Sequence, residues 1–171
     1  MELEAFAVFV IPFVVVIYLI ALLFIQPTRI AFLASLLGGL ALSVLNALVD
    51  LLAYSTHLWQ YTLSGLTLHL PLPYYIVQFL VYGSIDYLLI WRFWRGRFSW
   101  LARLLLFGTP VVAFLRDLSS ALGSGSGLRW SSPLAAPLDL IMWLLIFYAG
   151  YWIFRQLAPA RAVASPESLS A

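Results

Sequence analysis

Five apolar runs, each long enough to cross a bilayer as a helix, divide this chain of 171 residues, and no other feature constrains its fold as much. A hydrocarbon core about 30 Å thick takes about 20 residues of helix. No water is available there, so backbone N–H and C=O groups must pair within the segment, and a helix does this. The runs cover Ala5 to Ile25, Ile30 to Tyr54, the residues from Pro73 to the arginines at 92, 95 and 97, Trp100 to Leu122, and Leu134 to Gln156. The sequence therefore predicts an all-α membrane protein with five transmembrane helices in one domain over residues 1–157. Pro110 predicts a kink in the fourth helix. Residues 123–127, Gly-Ser-Gly-Ser-Gly, read as a flexible connector, and the Ala-, Ser- and Pro-rich residues 158–171 as a disordered cytoplasmic tail.

Composition narrows the function classes. Charged residues make up 9% of the chain, against about 25% in a soluble domain. The basic residues are all arginine and form no stripe that could neutralise a phosphate backbone, so nucleic acid is excluded as a partner. With no cysteine there is no disulfide, thiolate metal site or cysteine nucleophile. The opening Met1-Glu2-Leu3-Glu4 lacks the basic region of a secretory signal, so the first run reads as a retained helix.

Orientation follows from the arginines. Arg29, the group Arg92, Arg95, Arg97 and Arg103, and the pair Arg155 and Arg161 all fall on one side. The other side has Glu2, Glu4, a stretch from Ser55 to Pro71 without arginine, and Arg129 alone. The positive-inside bias predicts the N-terminus outside and the C-terminus in the cytoplasm, in a bacterial inner membrane. In the outer loop, Leu58 to Leu70 reads LWQYTLSGLTLHL, alternating on both sides of Ser64-Gly65. This predicts an amphipathic β-hairpin between helices two and three. It would pair Tyr61 with Leu68, Trp59 with Leu70 and Gln60 with His69, over the outer ends of the helices.

Ionisable groups within a bilayer are costly and face the bundle interior or a cavity. Asp50, Arg116, Asp117 and Asp139 fall in one outer layer, and Asp86 falls deeper, toward the arginine side. Gly39, Ser43, Asn46 and Asp50 share one face of helix two; Tyr75, Gln78, Tyr82 and Asp86 share one face of helix three. One reading makes these stripes interhelical contacts, with Arg116 paired to Asp50 or Asp139. The other makes the outer layer a polar pocket. In that pocket Asp50 and Asp139 would be an acid–base pair and Arg116 would stabilise charge, while Asn46, Trp59, Tyr61, Tyr82 and Asp86 would bind the ligand. Neither reading calls for a metal or cofactor: His57 and His69 lie in a loop without helical partners, and no glycine-rich phosphate loop is present.

Residues 50–75 carry an acid ending a helix, then Trp59-x-Tyr61, then Pro71-Leu72-Pro73 opening the next helix. This resembles the membrane domains of lycopene-cyclase-type carotenoid enzymes and related small polytopic proteins. Asp50 is the acid that carries over. Tyr74 and Tyr75 stand where that family has carboxylates, which puts the cyclisation itself in doubt. The expected partner is a membrane lipid, isoprenoid or other hydrophobic small molecule, with a protein partner or a second copy of the chain also compatible. The expected role is a binder or accessory membrane subunit, with an enzyme acting on an isoprenoid or lipid as the alternative.

Overall fold

The computed structural model describes residues 3–95, 97–123 and 127–159. The centre of the 123–127 connector, and the expected tail beyond residue 159, lie outside the described residues. Five helices run alternately up and down: α1 (Leu3–Ile25), α2 (Arg29–Ser55), α3 (Leu72–Phe93), α4 (Ser99–Leu122) and α5 (Ala135–Leu157). Two short strands, β1 (Trp59–Tyr61) and β2 (Leu128–Trp130), close one end of the bundle. The opposite end carries most of the arginines, while Arg116 and Arg129 lie at the sheet end. Among the described residues, α1, α2, α3 and α5 are each long and apolar enough to cross a membrane. Helix α4 is comparable in length at 24 residues but holds Arg103, Arg116 and Asp117.

Local chemistry sets the turns at the arginine end. Gln26 takes a left-handed conformation (φ 47°) and its N–H closes α1 on the Leu22 carbonyl at 2.8 Å. Two residues later the Thr28 hydroxyl caps α2 by accepting from the Ala31 N–H at 3.2 Å. The free C-terminal carbonyls of α1 also need donors. Arg92 supplies one, donating to the Ile25 carbonyl at 2.9 Å while its guanidinium lies over the Phe24 ring.

Helix α2 is the hub, because its paired glycines let two neighbours approach at once. A Cβ on Gly38 would stand 2.7 Å from the Gly150 carbonyl of α5. One on Gly39 would stand 2.6 Å from the Phe79 carbonyl of α3, and Gly83 of α3 meets the Gly39 backbone directly. Lipid tails are as apolar as leucine, so close packing and interhelical hydrogen bonds drive such a bundle. Down the α2–α3 seam, Ser35 bonds Ser84 at 2.8 Å, Ser43 donates to the Tyr75 carbonyl at 2.9 Å, and Asn46 donates to Gln78 at 2.5 Å. Tyr18 of α1 joins at Ser84, and Tyr87 of α3 donates to the Phe147 carbonyl of α5. At about 0.6 kcal/mol each, no single bond of this kind holds the bundle together.

The inward stripes expected from the sequence are buried, apart from half-buried Tyr82, but the α3 stripe divides. Residues Gln78–Ile85 form a π-helical segment, whose wider turn takes more residues per revolution. Tyr75 and Gln78 consequently bond α2, whereas Asp86 accepts from Thr109 of α4 at 2.6 Å.

The sheet corrects the expected hairpin. Strand β1 pairs not with residues 66–70 but with β2, antiparallel, matching Trp59 with Trp130, Gln60 with Arg129 and Tyr61 with Leu128. Leu68 and His69 have positive φ (53° and 63°), which breaks the extended run, and Thr67 and Leu70 bridge each other in a local turn. The His69 ring stacks on Tyr54 with centroids 4.1 Å apart instead of facing Gln60. The alternation itself persists: Trp59 and Leu128 are buried while Gln60 and Arg129 are exposed.

Candidate functional site

The site lies where α2, α3, α4 and α5 meet beneath the sheet. Asp50, 3% exposed, sits one turn from the end of α2. Its carboxylate accepts three hydrogen bonds: from the Trp59 indole at 2.9 Å, the Tyr61 hydroxyl at 3.0 Å and the Tyr75 hydroxyl at 2.7 Å. Two donors come from β1 and one from the first turn of α3, so this carboxylate anchors the sheet to the bundle. Tyr61 lies outside the spans, and its phenol is pushed well above its ordinary value, first by burial and then by the nearby Asp50. At neutral pH Tyr61 is therefore a donor and not a base.

Beside this clamp is a second carboxylate cluster. Arg116 pairs with neither Asp50 nor Asp139, the partners that the interhelical-contact reading of the sequence expects. Its Nε and an Nη fold back onto one oxygen of its neighbour Asp117 at 3.0 and 2.7 Å. The other Asp117 oxygen accepts from the Trp143 indole of α5 at 2.7 Å. For Asp50 the physical reason is supply: three neutral donors already satisfy its carboxylate, so it competes weakly for the cation. The Arg116 guanidinium also lies 5.7 Å from the centre of the Tyr82 ring and 5.5 Å from that of Trp143.

Asp139 is the exception. It is 3% exposed and lies close enough to Asp117, Asp50 and Arg116 to interact with all three electrostatically. Yet its Oδ2 is buried with no hydrogen-bond partner. Most buried polar atoms find partners, so a lone one is a candidate for functional use. The Asn46 Oδ1 is likewise unpartnered.

A cavity of about 190 Å³ opens between Tyr61, Tyr74, Arg116, Asp117, Ser120 and Leu128. On the other side of β1, an apolar groove of about 260 Å³ runs between α2 and α5 past Trp59, Leu138 and Met142. Both strand residues that hold Asp50 thus border a cavity, Tyr61 the polar one and Trp59 the apolar one. Of the site residues expected from the sequence, Asp50, Arg116, Asp139, Trp59, Tyr61 and Tyr82 come together at this end. Asn46 lies deeper, bonded to Gln78, and Asp86 joins α3 to α4 away from the cavity lining. The sequence reading gave no role to Trp143, although its spacing of four from Asp139 puts both on one face of α5. Among the described residues, no group of three or more His, Asp or Glu side chains could hold a metal ion.

Comparison of the chain with protein-family models, curated proteins and solved structures finds no significant match. Fold and site define a helical bundle, with at least four helices long and apolar enough to cross a membrane among the described residues, and a sheet-capped polar layer; the functional reading rests on the geometry.

Proposed function

We propose that this chain is a five-span integral membrane protein, N-terminus outside, that holds the polar end of a lipid-like or isoprenoid molecule beneath its sheet. The observation that carries this is the 190 Å³ cavity, into which a guanidinium and a carboxylate project side by side from α4. Its size supports a headgroup and not a whole polyene, since pockets for drug-sized ligands start near 300 Å³. The apolar chain would lie against the lipid-facing helices, and the groove past Trp59 is one available channel. Arg116 is 36% exposed at its side chain, so it can reach a ligand without breaking the Asp50 clamp.

Five spans, and not four, follow if α4 is counted. Its 24 residues extend about 36 Å at 1.5 Å per residue, and its charged residues Arg116 and Asp117 face partners inside the bundle. A cytoplasmic arginine end follows from the positive-inside bias.

The similarity of residues 50–75 to lycopene-cyclase-type domains supports a ligand of isoprenoid character. Tyr75, standing where that family has an acid, donates to Asp50; this favours binding over cyclisation. One observation favours the enzyme alternative, with carboxylate acid–base chemistry: a buried Asp139 oxygen has no hydrogen-bond partner, although Asp139 is outside the lining of the cavity.

The test is to purify the protein from its native membrane in mild detergent and identify what it retains by absorbance and mass spectrometry. Binding predicts a stoichiometric isoprenoid or single lipid species that is lost in Arg116→Gln. Retention of bulk phospholipid alone, unchanged by that substitution, overturns the proposal.

A further inference from the structure

We infer that the arginine end carries a separate anion site, between the ends of α3 and α5, that takes the phosphate of an anionic lipid headgroup or a free phosphate. A cavity of about 230 Å³ there is lined by Trp91, Trp94, Arg95, Tyr151, Phe154 and Arg155. Among the described residues its lining has two guanidinium groups and no carboxylate. The described carboxylates are engaged or placed elsewhere: Asp86 accepts from Thr109 and Asp117 from Arg116, while Glu4, Asp50 and Asp139 belong to the sheet end. Both arginines are exposed, so the cavity faces the membrane surface and is not part of the core.

The walls are held in place. The Trp91 indole donates to the Pro159 carbonyl at 2.8 Å, which pins the chain beyond α5 against the end of α3. Phe154 is buried, and its ring lies 6.2 Å from that of Tyr151, giving the cavity a rigid aromatic floor. Chemistry then selects the ligand. A planar guanidinium matches a phosphate or a carboxylate with two parallel N–H···O bonds, which a chloride cannot reproduce. Indoles favour the headgroup level of a bilayer, and basic pockets between helix ends on the cytoplasmic face recognise anionic headgroups. The helix dipole by itself accounts for one cation in the last turn of α5, Arg155. Helix-end charge does not account for the two arginines sharing one aromatic cavity in which no described carboxylate faces them.

The experiment uses the full chain in a phosphate-free maltoside detergent, with native mass spectrometry counting bound molecules. The probes are phosphatidylglycerol, diacylglycerol with the same tails, and inorganic phosphate. The expected result is one saturable phosphatidylglycerol per chain, little diacylglycerol, and affinity about fivefold weaker in R95Q and in R155Q. If inorganic phosphate displaces phosphatidylglycerol at similar concentration, the site reads the phosphate alone and free phosphate is its source. If it does not, the lipid is the ligand. Either result supports the site. Equal binding of phosphatidylglycerol and diacylglycerol, or binding unchanged in both single variants, overturns it. Each variant is checked for native helix content by circular dichroism. Should one misfold, the other decides alone, since each arginine is exposed and removes one fork.

Discussion

Asp50 and Asp139 are buried to the same extent, yet one has three donors and the other has an oxygen with none. Their substitutions should therefore shift stability in opposite directions. Asp50→Leu strands the Trp59, Tyr61 and Tyr75 donors, at about 1–3 kcal/mol for each left unpaired. Asp139→Leu removes an unsatisfied acceptor, so it should leave the melting temperature in detergent unchanged or raise it. A fall with Asp139→Leu as large as with Asp50→Leu would show that Asp139 also has structural partners. The same variant divides the functional readings: an enzyme loses turnover while it stays folded, whereas a binder retains its ligand. The importance of these acids was legible from sequence, because a carboxylate inside an apolar run is conspicuous. Their pairing was not. Adjacent residues on a helix point about 100° apart, so Arg116 invited a partner on another helix, when its long side chain in fact folds back onto Asp117.

At the scale of elements, helix positions were legible to within a residue or two, because a 20-residue apolar run has few alternatives. Strand partnership was not. Period two in LWQYTLSGLTLHL says which side chains of β1 face inward, but it fails at exposed Leu68 and does not say which strand lies alongside. The three-residue match Leu128–Trp130 is too short to stand out, and the anchor that fixes β1, Asp50, lies outside the strand. The π-helical segment in α3 was also hidden, since nothing in QFLVYGSI distinguishes it from an ordinary turn. Packing of α2 on α3 gives a matched test. Gly39→Ala places a methyl 2.6 Å from a backbone carbonyl that cannot move aside; overpacking of this kind costs about 1–3 kcal/mol. In Gly108→Ala the new methyl meets only Leu104 at 3.9 Å, and helix propensity favours it by about 0.5–1 kcal/mol. Thermal melts of the two variants should move in opposite directions. Equal melts would mean that the α2–α3 contact is looser than the glycines imply.

For the molecule as a whole, the lack of cysteine is an experimental convenience. Single-cysteine variants need no background substitutions, so topology can be read with a membrane-impermeant maleimide. With the N-terminus outside and five spans, Ser64→Cys at the sheet end labels on intact cells, and Ser99→Cys at the start of α4 labels only after permeabilisation. Labelling of both from one side would remove α3, the one helix between them, from the count of spans. The sheet also carries information about time. Its strands lie far apart in the chain, and β2 follows four of the five helices. Synthesis proceeds from the N-terminus, so β1 has no partner until Leu128 has left the ribosome. Up to that moment Trp59 and Tyr61 are not fixed over Asp50, and the nascent chain holds an incompletely shielded carboxylate near the bilayer surface. A ligand present in the membrane during that interval would meet an open site, and completion of the chain would close the sheet over it.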